Sequence, residues 1–356
     1  MEHNKKNTAA TEGISLFAAA NSGQGFVSFY DGVFDRPELS RRYLIKGGPG
    51  TGKSGLMRRI AAFSEERGRS VRYYRCSSDP DSLDGIVIDG CLAVLDGTAP
   101  HAVEARLPGA RDEIVNLGAF WDSASLAARY GEIEALEKEK SSSYARAYRY
   151  LSAATQLEEL NREIVGPYVL EEKMRAAARR VLRSLPEGEG FDLLPGLRSA
   201  IGMKGRRRLD SYERMAGRLY AVDDVYGIGA AFLSCLVDEA MRKRQPVSVS
   251  YEPMIPDRPD GVLFRGSGDC FLCGVSEETL PDGRIRMRRF LDPGIPSEKK
   301  AEIRMNRRLS EAMIGEAEHA LAEAGRVHGR LEKIYGSCMD FARLDAFTEE
   351  FCQKNF

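Results

Sequence analysis

Residues 41–68 read RRYLIKGGPGTGKSGLMRRIAAFSEERG, and no other stretch restricts the fold so strongly. A short aromatic and β-branched run, RRYLIK, has the character of a strand, and Leu56, Ile60 and Phe63 recur afterwards at helical spacing up to Gly68, a natural stop. The loop between them meets the pattern G-x-x-x-x-G-K-S/T at Gly47, Gly52, Lys53 and Ser54. Glycines allow consecutive backbone N–H groups to turn inward on an anion, and the following helix adds the partial positive charge of its N-terminus. Gly47, Gly48, Pro49, Gly50, Thr51, Gly52, Lys53, Ser54 and Gly55 are therefore expected to cradle the phosphates of a nucleotide. Lys53 would bridge the β- and γ-phosphates and Ser54 would offer its hydroxyl to Mg²⁺.

A second stretch completes that chemistry. CLAVLD, residues 91–96, is an apolar run ending in a carboxylate, which assigns Asp96 to the Mg²⁺ beside the loop. Many ATPases follow this aspartate with a glutamate that polarises water, but Gly97 stands here. Two stretches could supply the base instead. CSSDPDSLDG, after the strand-like SVRYYR, puts Asp79, Asp81 and Asp84 at the carboxyl edge of a parallel sheet, where open α/β folds bind ligands; the same residues also suit a turn that caps a helix. DGTAPH carries Thr98 and His101 directly beyond Asp96, so His101 is a candidate to sense the γ-phosphate or orient the attacking water, the competing reading being a surface histidine in a loop.

The 356 residues carry 52 Lys and Arg against 53 Asp and Glu, a balance that gives no global attraction to nucleic acid or to an anionic membrane. The basic clusters GRRRLD and RIRMRRF read as solvated faces. The seven cysteines are odd in number and scattered, and Cys270 and Cys273 form a C-x-x-C with no second pair at metal-ligand spacing, so all are expected as reduced thiols. The start, MEHNKKNTAATEG, has no apolar core, and the longest apolar runs are too short for a bilayer, which together point to the cytoplasm. Trp121 reads as a packing anchor.

A shift of 176 residues lays RYLIKGGPGTGKSGLM on RLYAVDDVYGIGAAFL and SVRYYRCSSDPDSLDGIVI on PVSVSYEPMIPDRPDGVLF. Pro80, Asp81, Asp84 and Gly85 fall on Pro256, Asp257, Asp260 and Gly261. Residues 119–160 and 298–339 are both long, helix-forming and rich in Ala, Leu, Glu and Arg. The expected architecture is therefore α/β, a mostly parallel P-loop NTPase-type sheet with flanking helices, duplicated, with a helical hairpin after each copy: residues 1–185 active, residues 190–356 degenerate. In the second copy Asp223 and Asp224 replace Gly47 and Gly48, and Gly229 and Ala230 replace Lys53 and Ser54, which argues against a triphosphate there.

LIKGGPGTGKS, CSSDPDSLDG, LDGTAPH and EIVNLGAFWD resemble a family of bacterial ATP-binding proteins with two P-loop units in tandem, known by no more than the labels ATPase or nucleotide kinase. The resemblance covers essentially the whole chain and implies ATP at Gly47–Ser54 with Asp96; the altered loop at 223–230 departs from it. The combined expectation is ATP hydrolysis with Mg²⁺ at one site, coupled to a conformational change, with Lys53 and one of Asp79, Asp81 or His101 as reacting or orienting groups. The alternatives are a phosphotransferase with a base among Asp79, Asp81 and Asp84, and a non-catalytic module whose degenerate half recognises a protein. Arg41, Arg42 and Arg218 are candidates for a charge-stabilising arginine. ATP is the expected ligand, and neither nucleic acid nor a membrane is an expected partner.

Overall fold

The computed structural model describes residues 13–276 and 279–356, so the polar start read above falls almost wholly outside the described residues. The first α/β segment holds β1 (Ile14–Phe17), the hairpin β2 (Ala19–Ser22) and β3 (Gly25–Ser28), α1 (Tyr30–Phe34), β4 (Arg41–Lys46) and α2 (Lys53–Glu65). It continues with β5 (Val71–Arg75), β6 (Leu83–Ile88), β7 (Leu92–Asp96) and β8 (Asp112–Asn116). The helices α3 (Ser123–Ala128), α4 (Tyr130–Val165) and α5 (Glu171–Val181) follow. The second segment repeats the order with β9 (Leu193–Gly196), β10 (Ser199–Gly202), β11 (Gly205–Arg208), α6 (Ser211–Met215), β12 (Arg218–Val222) and α7 (Gly229–Arg242). Then come β13 (Val247–Tyr251), β14 (Pro259–Phe264), β15 (Asp269–Cys273), β16 (Gly283–Ile285), α8 (Ser297–Ser337) and α9 (Phe341–Asn355).

Each segment builds a six-stranded sheet, ordered β1-β5-β6-β7-β4-β8 and β9-β13-β14-β15-β12-β16, so the two orders correspond strand for strand. Both sheets are mixed: five of the six strands run in one direction, in line with the mostly parallel expectation, and one runs against them. β1 with β5, β7 with β4 and β4 with β8 are parallel, but β6 runs antiparallel to both neighbours. The cause is local. Only a short turn joins β5 to β6 and β6 to β7, too short for the crossover that parallel neighbours need. Asp89 and Gly90 both take positive φ, 48° and 68°, the conformation of a tight hairpin turn.

β6 and β7 are buried along nearly all their length, which explains their continuous apolar sequence. Leu56, Met57, Ile60 and Ala61 of α2 pack on that sheet, each large side chain contributing roughly 1.5–3 kcal/mol on burial. Gly68, at φ 75°, stops the helix.

The described chain forms two compact units that cut across the expected division at 185–190. Unit 1 takes the described residues up to Ala18, Tyr30–Ser142 and Glu323–Phe356, and unit 2 takes Ala19–Phe29 and Ser143–Ala322. Each sheet is thus closed by a helix encoded in the opposite half of the sequence. In unit 1, Leu344, Phe351 and Cys352 of α9 join the core beneath α2. In unit 2, Met174, Ala177 and Ala178 of α5 join the core with Phe232, Leu233 and Leu236 of α7. Among the described residues no helix is long and apolar enough to cross a membrane.

Candidate functional site

In unit 1 the chain leaves β4 at Lys46, turns through 47–52 and enters α2 at Lys53. Gly50 and Gly52 sit at φ 66° and 92°, a region that strains any residue with a Cβ. Thr51, almost fully buried, donates its hydroxyl to the Gly48 carbonyl at 2.8 Å and braces the turn. Lys53 Nζ donates to the carbonyls of Gly47 (2.9 Å) and Gly48 (2.8 Å) and lies 3.5 Å from Asp96 Oδ2. No side chain caps the start of α2, whose first intrahelical bond runs from Leu56 N–H to the Gly52 carbonyl. The N–H groups before it therefore face the loop, the arrangement that takes an anion at a helix N-terminus.

Asp96 ends β7 opposite Ile45 of β4, which brings it beside the loop. Burial pushes its carboxyl up, while Lys53 and then Thr98 oppose that rise. Its Oδ1 accepts the backbone N–H of Thr98 at 2.9 Å and the Thr98 hydroxyl as well, which leaves Oδ2 toward Lys53. Ser54 Oγ accepts Leu83 N–H at 3.0 Å, and a hydroxyl oxygen keeps a second lone pair. One hydroxyl and one carboxylate suit Mg²⁺, which retains water and phosphate oxygens for its other positions. No set of three or more His, Cys, Asp or Glu side chains among the described residues is grouped to hold a metal alone.

The antiparallel β6 begins at the edge where β4 and β7 end, and it delivers Asp84 there. Asp84 Oδ2 lies 3.1 Å from His101 Nε2, with both side chains about 5% exposed. The His101 ring stacks on Tyr30, centroids 4.2 Å apart and planes 7° from parallel, and the Tyr30 hydroxyl donates to the Asp84 carbonyl at 3.4 Å. Burial and then the charges of Asp84 and Asp96 push the Tyr30 hydroxyl upward. Burial followed by the Asp84 charge does the same to the Cys76 thiol. Lys46 donates to the carbonyls of Gly97 and Val103, both at 2.8 Å, and so ties down the segment that carries His101.

Of the carboxylates offered as a base, Asp84 is the one held against His101. Asp79 makes the turn: its Oδ2 accepts the Ser82 hydroxyl and its carbonyl accepts Ser82 N–H, each at 2.8 Å. Asp81 is exposed and gives its carbonyl to Arg58. Tyr30 was missed, having no motif around it, whereas the Asp89–Gly90 turn was the local signal that could have located Asp84. Arg42 is no charge-stabilising finger. It is buried at the start of β4, the strand end remote from the loop, and makes paired bonds of 2.7 and 2.9 Å to Asp112. Arg41 pairs with Glu113 at that same end, and Arg218 repeats the Arg42 pattern on Asp269 at 2.7 and 2.9 Å.

Unit 2 has filled the equivalent edge with its own side chains. Asp224 Oδ1 accepts Gly229 N–H at 3.1 Å at the start of α7. A Cβ on Gly229 would meet Cys273 Sγ at 2.7 Å, so no longer side chain fits where Lys53 stands in unit 1. Leu272 stands opposite Ala221 where Asp96 stands opposite Ile45, so the matching strand offers no carboxylate at that position. Arg258 holds the Gly227 carbonyl at 3.0 Å and Glu252 at 3.6 Å, and Arg198 holds Asp260 at 3.0 Å and Glu213 at 3.6 Å. All seven cysteines are free; Cys270 and Cys273, three apart on β15, point to opposite faces of the sheet and cannot share a ligand.

Comparison of the chain with protein-family models, with curated proteins and with solved structures finds no match in any of the three.

Proposed function

We propose that unit 1 binds ATP with Mg²⁺ in the 47–55 loop and hydrolyses it, that the chain works in the cytoplasm, and that unit 2 is a duplicated copy without a nucleotide site. The observation that carries this reading is Lys53 Nζ, held by the Gly47 and Gly48 carbonyls and 3.5 Å from Asp96 at an uncapped helix start. In this reading the loop N–H groups and Lys53 bind the β- and γ-phosphates, while Ser54 and Asp96 hold the metal. Bound Mg²⁺ would neutralise charge on the phosphate oxygens. Asp84 fixes the His101 ring against Tyr30, and His101 orients the attacking water and accepts its proton. The tandem P-loop resemblance supports the same reading.

A second reading, phosphoryl transfer to a small acceptor, is favoured by the burial of the Asp84–His101 pair and by Gly97 in place of a glutamate. One set of assays separates them: ATP binding by calorimetry, phosphate release, and phosphate transfer to nucleosides, nucleotides and sugars, each with Lys53→Ala as the control. Release with no acceptor supports the ATPase. Transfer to one acceptor replaces that reading, and binding with neither reaction leaves an ATP-dependent module whose unit 2 would recognise a protein. Normal ATP binding by Lys53→Ala would remove the site assignment itself.

A further inference from the structure

Gly48 and Gly50 are constrained from outside the loop as well as from within. A Cβ on Gly48 would stand 2.7 Å from the Tyr335 ring, and one on Gly50 would stand 2.6 Å from the Glu332 carbonyl oxygen and 2.8 Å from its Cα. The final turns of α8 therefore rest directly on the loop backbone, at a distance that only glycine allows.

These turns bring charge. Glu332 lies 3.6 Å from His328 one turn earlier on the same helix. His328 is the main influence holding the Glu332 carboxyl below its usual range. Glu332 thus carries a carboxylate on the turn that rests against Gly50, three residues before Lys53 in the loop. Tyr335, between the loop and the adjoining helix, has its ring centroid 6.1 Å from Trp121, the only tryptophan of the chain.

We propose that Glu332 is a specificity-determining residue of the loop, selecting metal-complexed over free polyphosphate, and that Tyr335 transmits the loop's occupancy to Trp121. This rests on the nucleotide reading above. The physical reason is charge: free ATP carries about two more negative charges than its magnesium complex, so a carboxylate on the turn against Gly50 opposes the free form more strongly.

The test measures ATP affinity with and without Mg²⁺, by calorimetry and by Trp121 fluorescence, in wild type, Glu332→Gln, Glu332→Asp, Tyr335→Leu and Lys53→Ala. Glu332→Gln should bind metal-free ATP on the order of tenfold tighter and Mg-ATP less than about threefold tighter, with Glu332→Asp close to wild type. Tyr335→Leu should keep its calorimetric affinity and lose the fluorescence change. An unchanged or weaker affinity in Glu332→Gln, or an equal gain with and without metal, overturns the proposal while wild-type binding stands. Absence of calorimetric binding in wild type overturns it together with the nucleotide reading.

Discussion

Asp224 Oδ1 accepts the backbone N–H of Gly229 at 3.1 Å, so unit 2 places a carboxylate of its own at the helix start where unit 1 has no side-chain cap. A single hydrogen bond of this kind contributes about 1 kcal/mol. Asp224→Ala should therefore lower the stability of unit 2 by about that amount. Calorimetric stoichiometry should stay at one nucleotide per chain, because Gly229 has no ammonium to offer; a second binding event in the variant would contradict this.

The Asp84–His101 contact predicts a separation of binding from turnover. Asp84→Asn keeps the shape of the side chain and removes the charge that orients the imidazole. Single-turnover phosphate release should fall on the order of 10²- to 10⁴-fold with ATP affinity preserved. Equal rates in wild type and variant would reduce the pair to a packing feature.

Arg42 and Asp112 predict a purely structural effect. Both are buried and joined by two bonds, so Arg42→Ala removes the bidentate partner of the Asp112 carboxylate, leaving it Arg111 and the N–H groups of Arg106 and Leu107, and should cost at most about 3–5 kcal/mol in denaturant unfolding. Arg218→Ala, whose side chain is half exposed, should cost clearly less. Variant protein that is still folded should bind nucleotide as wild type does.

Glu252 makes the stability of unit 2 depend on pH. Burial pushes its carboxyl up to about 7 despite Arg258, with Asp260, Asp224 and Glu158 adding to the rise. An unfolded glutamate releases its proton near ~4.3, so the folded state holds a proton that the unfolded state has lost across that window. The contribution is complete below about pH 4 and disappears as the pH rises through 7, and with a third of the side chain in solvent it is worth roughly 1–2 kcal/mol. Denaturant midpoints for Glu252→Gln should be flatter than wild type between these limits and higher at pH 8. Parallel profiles for the two proteins would show that the carboxyl is already charged.

Much of the candidate site could be read from short segments because its chemistry is local. Lys53 follows its own loop, and Asp96 ends an apolar run whose strand pairs beside it. The 176-residue shift located α7 and the edge carboxylate Asp260 for a similar reason, since each element recurs with its neighbours. Asp84 stood behind Asp79 and Asp81 in the hydrolytic reading because strand direction decides among them, and that direction depends on a short turn. Tyr30, Glu332 and Tyr335 reach the site through contacts distant in sequence, and no local pattern records which helix a sheet will bury. The same holds for α5 and α9, whose apolar faces suit either sheet equally as far as their sequences go.

The placement of α9 has a consequence for anyone dividing this chain. A fragment ending near residue 185 would contain every residue of the GGPGTGKS motif yet lack Leu344, Phe351 and Cys352, which complete the core under α2. The motif and its folding partner are separated by almost the entire polypeptide. The protein is therefore one folding problem with two sheets, and activity from a half-length fragment should return only when the missing C-terminal segment is supplied alongside it.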